Sequence, residues 1–213
     1  MVRRQVMLAI GISGNVASGK TTVADRWRDA GVPVIDADRI GHAVLEEDAG
    51  ARDALVQEFG RQILGPDGRI DRAALGERAF ESPERTARLN AIVHPPLLER
   101  LDQRIEAARE KGHPVVAVDA ALLFEFNLDE AMDLVVLVTA PEDLRTQRLR
   151  ESRDISEERI ERIMASQLSD TEKLDGSDYV IVNDGTLEDL RARADEVLEE
   201  ILNPVSNRME EEE

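Results

Sequence analysis

The octapeptide Gly14-Asn15-Val16-Ala17-Ser18-Gly19-Lys20-Thr21 constrains this chain more than any other feature. It has the form G-x-x-x-x-G-K-[ST], follows an apolar run that ends at Ile12 and Ser13, and opens a helical pattern at its lysine. A strand, a tight loop and a helix in that order is the context a phosphate-binding P-loop requires. Glycine lets the backbone fold tightly, so that successive N–H groups face phosphate oxygens. The helix that follows adds the partial positive charge of its N-terminus. Lys20 is then placed to reach the β- and γ-phosphates of a nucleoside triphosphate, and the Thr21 hydroxyl to ligate Mg²⁺. Gly14 to Thr21, with Thr22 next in the helix, are the expected nucleotide contacts. A glycine-rich turn holding nothing is the bland alternative, and the strand–helix placement argues against it.

Five short runs rich in Val, Ile and Leu read as buried strands of a parallel sheet: Val6–Ile12, Val32–Asp36, Val115–Asp119, Leu134–Thr139 and Tyr179–Val182. Helical patterns alternate with them, which predicts an α/β fold, a five-stranded parallel sheet flanked by helices. The interval between the second and third runs is too long for one crossover. It carries its own punctuation: Gly60, a GPDG turn at 65–68, and Ser82-Pro83-Glu84 as cap, first helical residue and first-turn acid. Residues 37–113 are therefore expected to form an inserted helical subdomain. Residues 1–36, 114–140 and 164–204 make up the core. The heavily charged 141–163 stands apart as a small helical segment, for which a solvated helix pair laced with i,i+4 ion pairs is the bland reading. Residues 205–213 are expected as an acidic, frayed tail.

Charge and composition narrow the function. With 45 acidic against 27 basic residues the net charge is -18, so a general nucleic-acid or anionic-membrane coat is excluded. A phosphate ligand must instead meet a local basic cluster. The absence of cysteine excludes disulfides, thiolate metal sites and a Cys nucleophile. His42, His94 and His113 are too scattered to suggest zinc, and His42 and His113 read as surface residues. The apolar stretch after Arg3 and Arg4 is too short for a signal peptide, and no run approaches the ~20 residues of a membrane span. A cytoplasmic protein, monomeric or weakly oligomeric, is expected. Trp27 reads as core packing.

A P-loop alone means binding of a nucleoside triphosphate, and the next segment narrows it. The helix from Lys20 to about Ala30 carries the chain roughly 15 Å away, and an extended Pro33–Asp38 returns it roughly 16 Å. Asp36 and Asp38 thus come back level with Lys20 at the carboxyl end of the sheet, where ligands bind. Strand alternation would aim both carboxylates to one side. One could orient or deprotonate an acceptor hydroxyl while the other supports Mg²⁺ or its waters, and capping of the next helix is the alternative for each. Asp119 ends the third strand and could assist Mg²⁺ through water. Asp38-Arg39-Ile40-Gly41 also spells D-x-x-G, but it lies before any third strand and no N-K-x-D accompanies it, so the GTPase reading fails.

These residues, taken in order, resemble the dephospho-coenzyme A kinases, a family of the P-loop nucleoside-monophosphate-kinase type, over about residues 8–200. GISGNVASGKTTV resembles the family's opening loop, VIDADRIGHAVL its acceptor segment, LNAIVHPPL its His-Pro motif and VDAALLFEFNLD its third strand and following turn. A basic lid, Gln167 and YVIVNDG follow. Asn15 and Ala17 stand where the family often has glycine, and Ala121 where proline is common. The resemblance implies transfer of the ATP γ-phosphoryl group to the ribose 3′-hydroxyl of dephospho-coenzyme A, with Mg²⁺ as cofactor. It implies that residues 37–113 bind the acceptor, that 141–163 is the lid, that His94 contacts substrate, and that Asn183 and Gly185 lie beside the adenine. A strand-to-helix turn capped by Thr186 is the plainer reading of that last loop. Asp38 would take the acceptor proton, and Arg148 and Arg153 would close over the transferred group. The family sets its lid arginines four apart, whereas these are five apart, so which of Arg148, Arg150 and Arg153 faces the phosphates stays open.

Other small-molecule kinases with this fold, acting on a nucleoside monophosphate, shikimate or gluconate, are the alternative. The long insert favours a large acceptor. A non-catalytic ATP-binding switch would be expected to lose the acceptor-side carboxylates, and Asp36 and Asp38 are both present.

Overall fold

A computed structural model describes residues 7–152, 156–165 and 167–210. Five strands, β1 (Leu8–Ser13), β2 (Val34–Asp36), β3 (Val115–Asp119), β4 (Leu134–Thr139) and β5 (Tyr179–Val182), form one parallel sheet in the order β2-β3-β1-β4-β5. The first strand thus lies at the centre, and its neighbours on either side are reached by separate crossovers. That is the topological arrangement that opens a crevice at the strands' carboxyl ends. Because β1, β3 and β4 are covered on both faces, their sequences are continuous apolar runs with no alternation. Gly11 lets β1 pass close to the next layer, since a Cβ there would sit 3.0 Å from Met132 and 3.1 Å from Leu123. Two aspartates extend the ladder at the strands' amino ends. Asp133 accepts from the Ala9 amide and Asp178 from the Val135 amide, each at 2.7 Å.

Helix α1 (Lys20–Asp29) ends at Gly31, whose φ of +90° suits glycine. It buries Val23, Ala24 and Trp27 on one side. The C-terminal helix, numbered α9 below and spanning Leu187–Glu210, presents Leu190, Ala194, Leu198 and Ile201 at helical spacing to the same core cluster. Trp27 is fully buried and its indole N–H donates to the Ala194 carbonyl at 2.9 Å. The helix runs through Glu210, so residues 205–210 of the expected tail are helical, and 211–213 lie outside the described residues.

Residues 37–104 form a second compact unit. It holds α2 (Ala37–Glu47), α3 (Ala49–Phe59), α4 (Arg72–Ala79) and most of α5 (Pro83–Glu110). The starts of α3, α4 and α5 are each capped by a short polar side chain. Asp48 accepts from Ala51, Asp71 from Ala73 and Ala74, and Ser82 from Arg85. The expected GPDG turn closes with Gly68 donating to Gly65 and Gly65 to Arg69. Leu55, Phe59, Ile63, Leu75, Ala79 and Leu89 supply this unit's own core. Pro95 and Pro96 lie inside α5, where they donate no amide to the preceding turn. Back in the first unit, α6 (Glu142–Ser152) and α7 (Glu157–Ala165) occupy most of the charged segment, and α8 (Asp170–Leu174) precedes β5.

Candidate active site

The phosphate loop is shaped by what its residues cannot carry. A Cβ on Gly14 would fall 2.5 Å from the Val138 carbonyl and 2.7 Å from Ser18 Oγ. A Cβ on Gly19 would meet Asn183 Nδ2 at 2.4 Å, and Gly19 also has φ +101°. Ala17 takes φ +61°, a left-handed conformation that costs an L-residue energy. These reversals turn the amides, but not all to one purpose. Ser18 donates back to Asn15 O at 3.0 Å, and Val16 donates to Gln167 Oε1 at 2.9 Å. The amides of Ala17, Gly19, Lys20 and Thr21 take no partner among the described residues, and they are the ones left for an anion at the start of α1.

At the carboxyl edge of the sheet, Lys20 forms an ion pair with Asp119. Both side chains are nearly buried, at 12% and 14% exposure, so the pair is shielded from solvent screening. Asp119 is in register with Ile12 on one side and with Asp36 on the other. Ile12, Asp119 and Asp36 therefore form a row across β1, β3 and β2, and Lys20, the first residue of α1, reaches this row through Asp119. Strand β2 ends at Asp36, and Ala37 begins α2. The expectation that alternation along one strand aims Asp36 and Asp38 to the same side is therefore incorrect. Ala37 is buried and helical, and Asp38 stands in the first turn of α2, where a carboxylate is favoured by the helix dipole. Both aspartates are exposed, as is Thr21; Thr22 is half-buried.

Arg148 crosses from α6 to this loop. Its guanidinium donates to Ala17 O and to both the carbonyl and Oδ1 of Asn183, each at 3.2 Å. Asn183 in turn donates to Ser18 O at 2.7 Å. One planar fork thus ties the loop after β5 to the phosphate loop. Arg150 points elsewhere and binds Glu157 in bidentate fashion at 2.6 and 2.9 Å, which raises its own pKa and lowers that of the carboxyl. Arg153 lies outside the described residues. Gly185 sits in the turn before α9, where Thr186 and Asp189 exchange N-terminal capping bonds. A Cβ on Gly185 would meet that Asp189 carboxylate at 2.7 Å, so its place in the turn has a structural reason.

Several residues that support the loop residue Asn15, or lie beside them, escaped sequence reasoning. Asn15 donates to Asp170 Oδ1 at 2.7 Å and to Leu168 O at 3.1 Å, and Thr139 donates to the other oxygen of Asp170. Lys173 is fully buried and pairs with Glu125 at 2.9 Å. No periodicity flags these residues; the one available signal is that Lys173 is one of three lysines in an arginine-rich chain. Beside them a cavity of about 930 Å³ opens between α6, α7 and residues 167–172, with the buried Arg145 in its wall. In the other unit His94 is half-buried on α5 before Pro95, and burial holds its imidazole pKa below the ordinary 6.5. His42 is exposed and His113 half-buried.

The described residues hold no group of three His, Asp or Glu side chains able to cage a metal. A hard cation such as Mg²⁺ fits this donor set differently, because it is commonly held by one or two protein oxygens together with substrate phosphates. The exposed Thr21 hydroxyl and Asp119 are suitable oxygens.

Comparison with known proteins identifies the family and agrees with the fold. The family model for dephospho-CoA kinase matches residues 8–189. A dephospho-CoA kinase of Corynebacterium glutamicum is 43% identical over 200 residues, which is 94% of this chain and all of the relative. Among solved structures, a Thermus thermophilus protein superimposes with TM-score 0.78 at 33% identity, covering 92% of this chain and 98% of its own. A dephospho-CoA kinase from Campylobacter jejuni superimposes with TM-score 0.66 at 26% identity, covering 91% and 96%.

Proposed function

The chain belongs to the dephospho-CoA kinase family, and from that premise we propose which of its residues carry the phosphoryl transfer. It is an ATP-dependent kinase of coenzyme A biosynthesis, and the nucleoside-monophosphate, shikimate and gluconate acceptors belong to other families. The reaction forms a bond between the ribose 3′-oxygen of dephospho-coenzyme A and the γ-phosphorus of ATP. It breaks the bond from that phosphorus to the β–γ bridging oxygen, and ADP departs.

Phosphoryl transfer needs mainly alignment and neutralisation of charge. In our reading the amides of Ala17, Gly19, Lys20 and Thr21 hold the phosphates, within a loop built from Gly14, Asn15, Val16, Ala17 and Ser18. Lys20 leaves Asp119 to meet the β- and γ-oxygens, an exchange of one anion for another. Thr21 and Asp119 are the residues we assign to Mg²⁺, which when bound neutralises charge developing on the phosphates. Asp38 accepts the hydrogen bond of the 3′-hydroxyl and takes its proton, which passes on to solvent. Two residues beyond Asp36, it is held by covalent reach within about 7 Å of the end of β2. Asp36 orients the acceptor, and His94, with the 37–113 helices, binds it. Arg148, with Arg153, closes over the transferred group and limits hydrolysis. Asn183 borders the nucleotide and Gly185 shapes the loop beside it. We place the protein in the cytoplasm as a monomer or weak oligomer. No helix among the described residues is long and apolar enough to cross a membrane.

The observation that carries this assignment is the row of Asp119 and Asp36 at the sheet's carboxyl edge, with Lys20 paired to Asp119, beside a phosphate loop gripped by Arg148. The test is ADP release with Mg-ATP and dephospho-CoA, compared with AMP, shikimate and gluconate as acceptors. Turnover is expected with dephospho-CoA alone and should fall about 10²–10⁴-fold in Asp38→Asn, the range of a positioned acid–base group. Undiminished turnover in that variant would move the acceptor role to Asp36 or to the lid.

A further inference from the structure

Resting on the reading of residues 14–21 as the ATP site, we propose that the buried Glu125–Lys173 pair is a positioning device for that site. Glu125 Oε1 accepts from the Leu168 amide at 3.0 Å and forms an ion pair with the Lys173 ammonium at 2.9 Å. Leu168 lies in the short segment that grips the phosphate loop from outside. Its carbonyl accepts from Asn15 Nδ2, its neighbour Gln167 accepts from the Val16 amide, and Asp170 accepts from Asn15. Lys173 lies one turn beyond Asp170 on α8, whose start is fixed by a reciprocal Ser169–Glu172 capping box. Glu125 belongs to the segment that follows Asp119, the partner of Lys20. The pair therefore joins the two chain segments that hold the phosphate loop and its lysine.

Stability alone does not account for such a pair. Burying an ammonium and a carboxylate is costly, and apolar side chains of equal volume serve a core as well or better. What apolar residues cannot supply is an acceptor for the Leu168 amide, and the Glu125 side-chain oxygen does. The residues act through Leu168, Gln167 and Asn15, and the quantity they control is the shape of the loop that binds ATP.

Two double variants separate this role from packing. Glu125→Gln/Lys173→Met removes both charges but keeps an amide oxygen for Leu168. Glu125→Leu/Lys173→Met removes both charges and the acceptor. The first is expected to hold its KM for ATP within about twofold, whereas the second should raise it about tenfold, the loss of roughly one hydrogen bond. The KM for dephospho-CoA should stay within about twofold in both, since the distortion is local to the nucleotide side. Equal KM values for ATP in the two variants, or equal rises in both KM values of the second, would overturn the proposal. If the second variant does not fold, Glu125→Asp decides. It retains the charge but withdraws the oxygen by one methylene, and an unchanged KM for ATP would be equally fatal. Wild-type enzyme without ATP turnover would sink the reading of the site itself, an outcome separate from any of these.

Discussion

At the scale of single residues, the phosphate loop shows where a side chain is tolerated and where it is not. Gly14 and Gly19 are closed to any Cβ by Val138, Ser18 and Asn183. Ala17 bears one in a left-handed conformation. Relief of that conformation is worth about 1–2 kcal/mol, and glycine's greater unfolded-state entropy offsets about 0.5–1 of it. Ala17→Gly is therefore expected to raise stability by about 0.5–1 kcal/mol, read as a higher urea midpoint at unchanged slope; a lower midpoint would contradict it. Arg148 makes a different kind of prediction. Its fork spans Ala17 O and two atoms of Asn183, and an ammonium on a flexible stem cannot. Arg148→Lys should keep the fold and the charge yet raise KM for ATP about tenfold. Steady-state kinetics with either substrate varied would detect it, and a KM for ATP unchanged within twofold would remove Arg148 from the site. Of these features, the two required glycines and Lys20 are legible in the motif. The choice of Arg148 over Arg150 is not, because helical sequence shows a charge on a face without showing what that face meets.

Among the elements, all five strands fall where apolar runs place them, with ends differing by two residues or fewer. The exception with a consequence is the end of β2. Extending it through Asp38 put both aspartates on one side, whereas the helix begins at Ala37. An exposed Asp is as good a first-turn helix residue as a strand-end ligand, so local sequence does not separate them. Helix α5 carries a histidine whose titration bears on stability. His94 is half-buried with a lowered pKa, so the folded state holds its proton more weakly than the unfolded chain does. Its contribution is complete above pH 6.5 and is lost as pH falls from there through the lower folded value. The drop in Tm between about pH 8 and about pH 5.5 should accordingly shrink in His94→Gln, whose neutral side chain does not titrate in this range. A drop of the same size in the variant would assign the acid sensitivity to other groups.

For the whole molecule, the net charge of -18 sets the tone. Many ion pairs are exposed, such as Arg52–Asp53 and Arg193–Asp184, and contribute little individually. Self-repulsion of the excess carboxylates opposes compaction. Raising KCl from about 0.05 to about 1 M shortens the Debye length to about 3 Å and should lift Tm by a few degrees. A fall would mean that paired charges outweigh the excess. The sequence by itself determined the phosphate loop, the α/β class, the long insert and the kinase family. Each of those is written locally: a left-handed turn demands small residues, a doubly covered strand demands an unbroken apolar run, and an insert adds length. Only the tertiary structure decided what holds the loop in shape. Gln167 meets Val16 across 151 positions, Asp170 meets Asn15 across 155, and Asn183 meets Ser18 across 165. Hydrogen bonds between such distant residues impose no period and no spacing on either partner. They exist only where the packed sheet brings the two segments to the same edge.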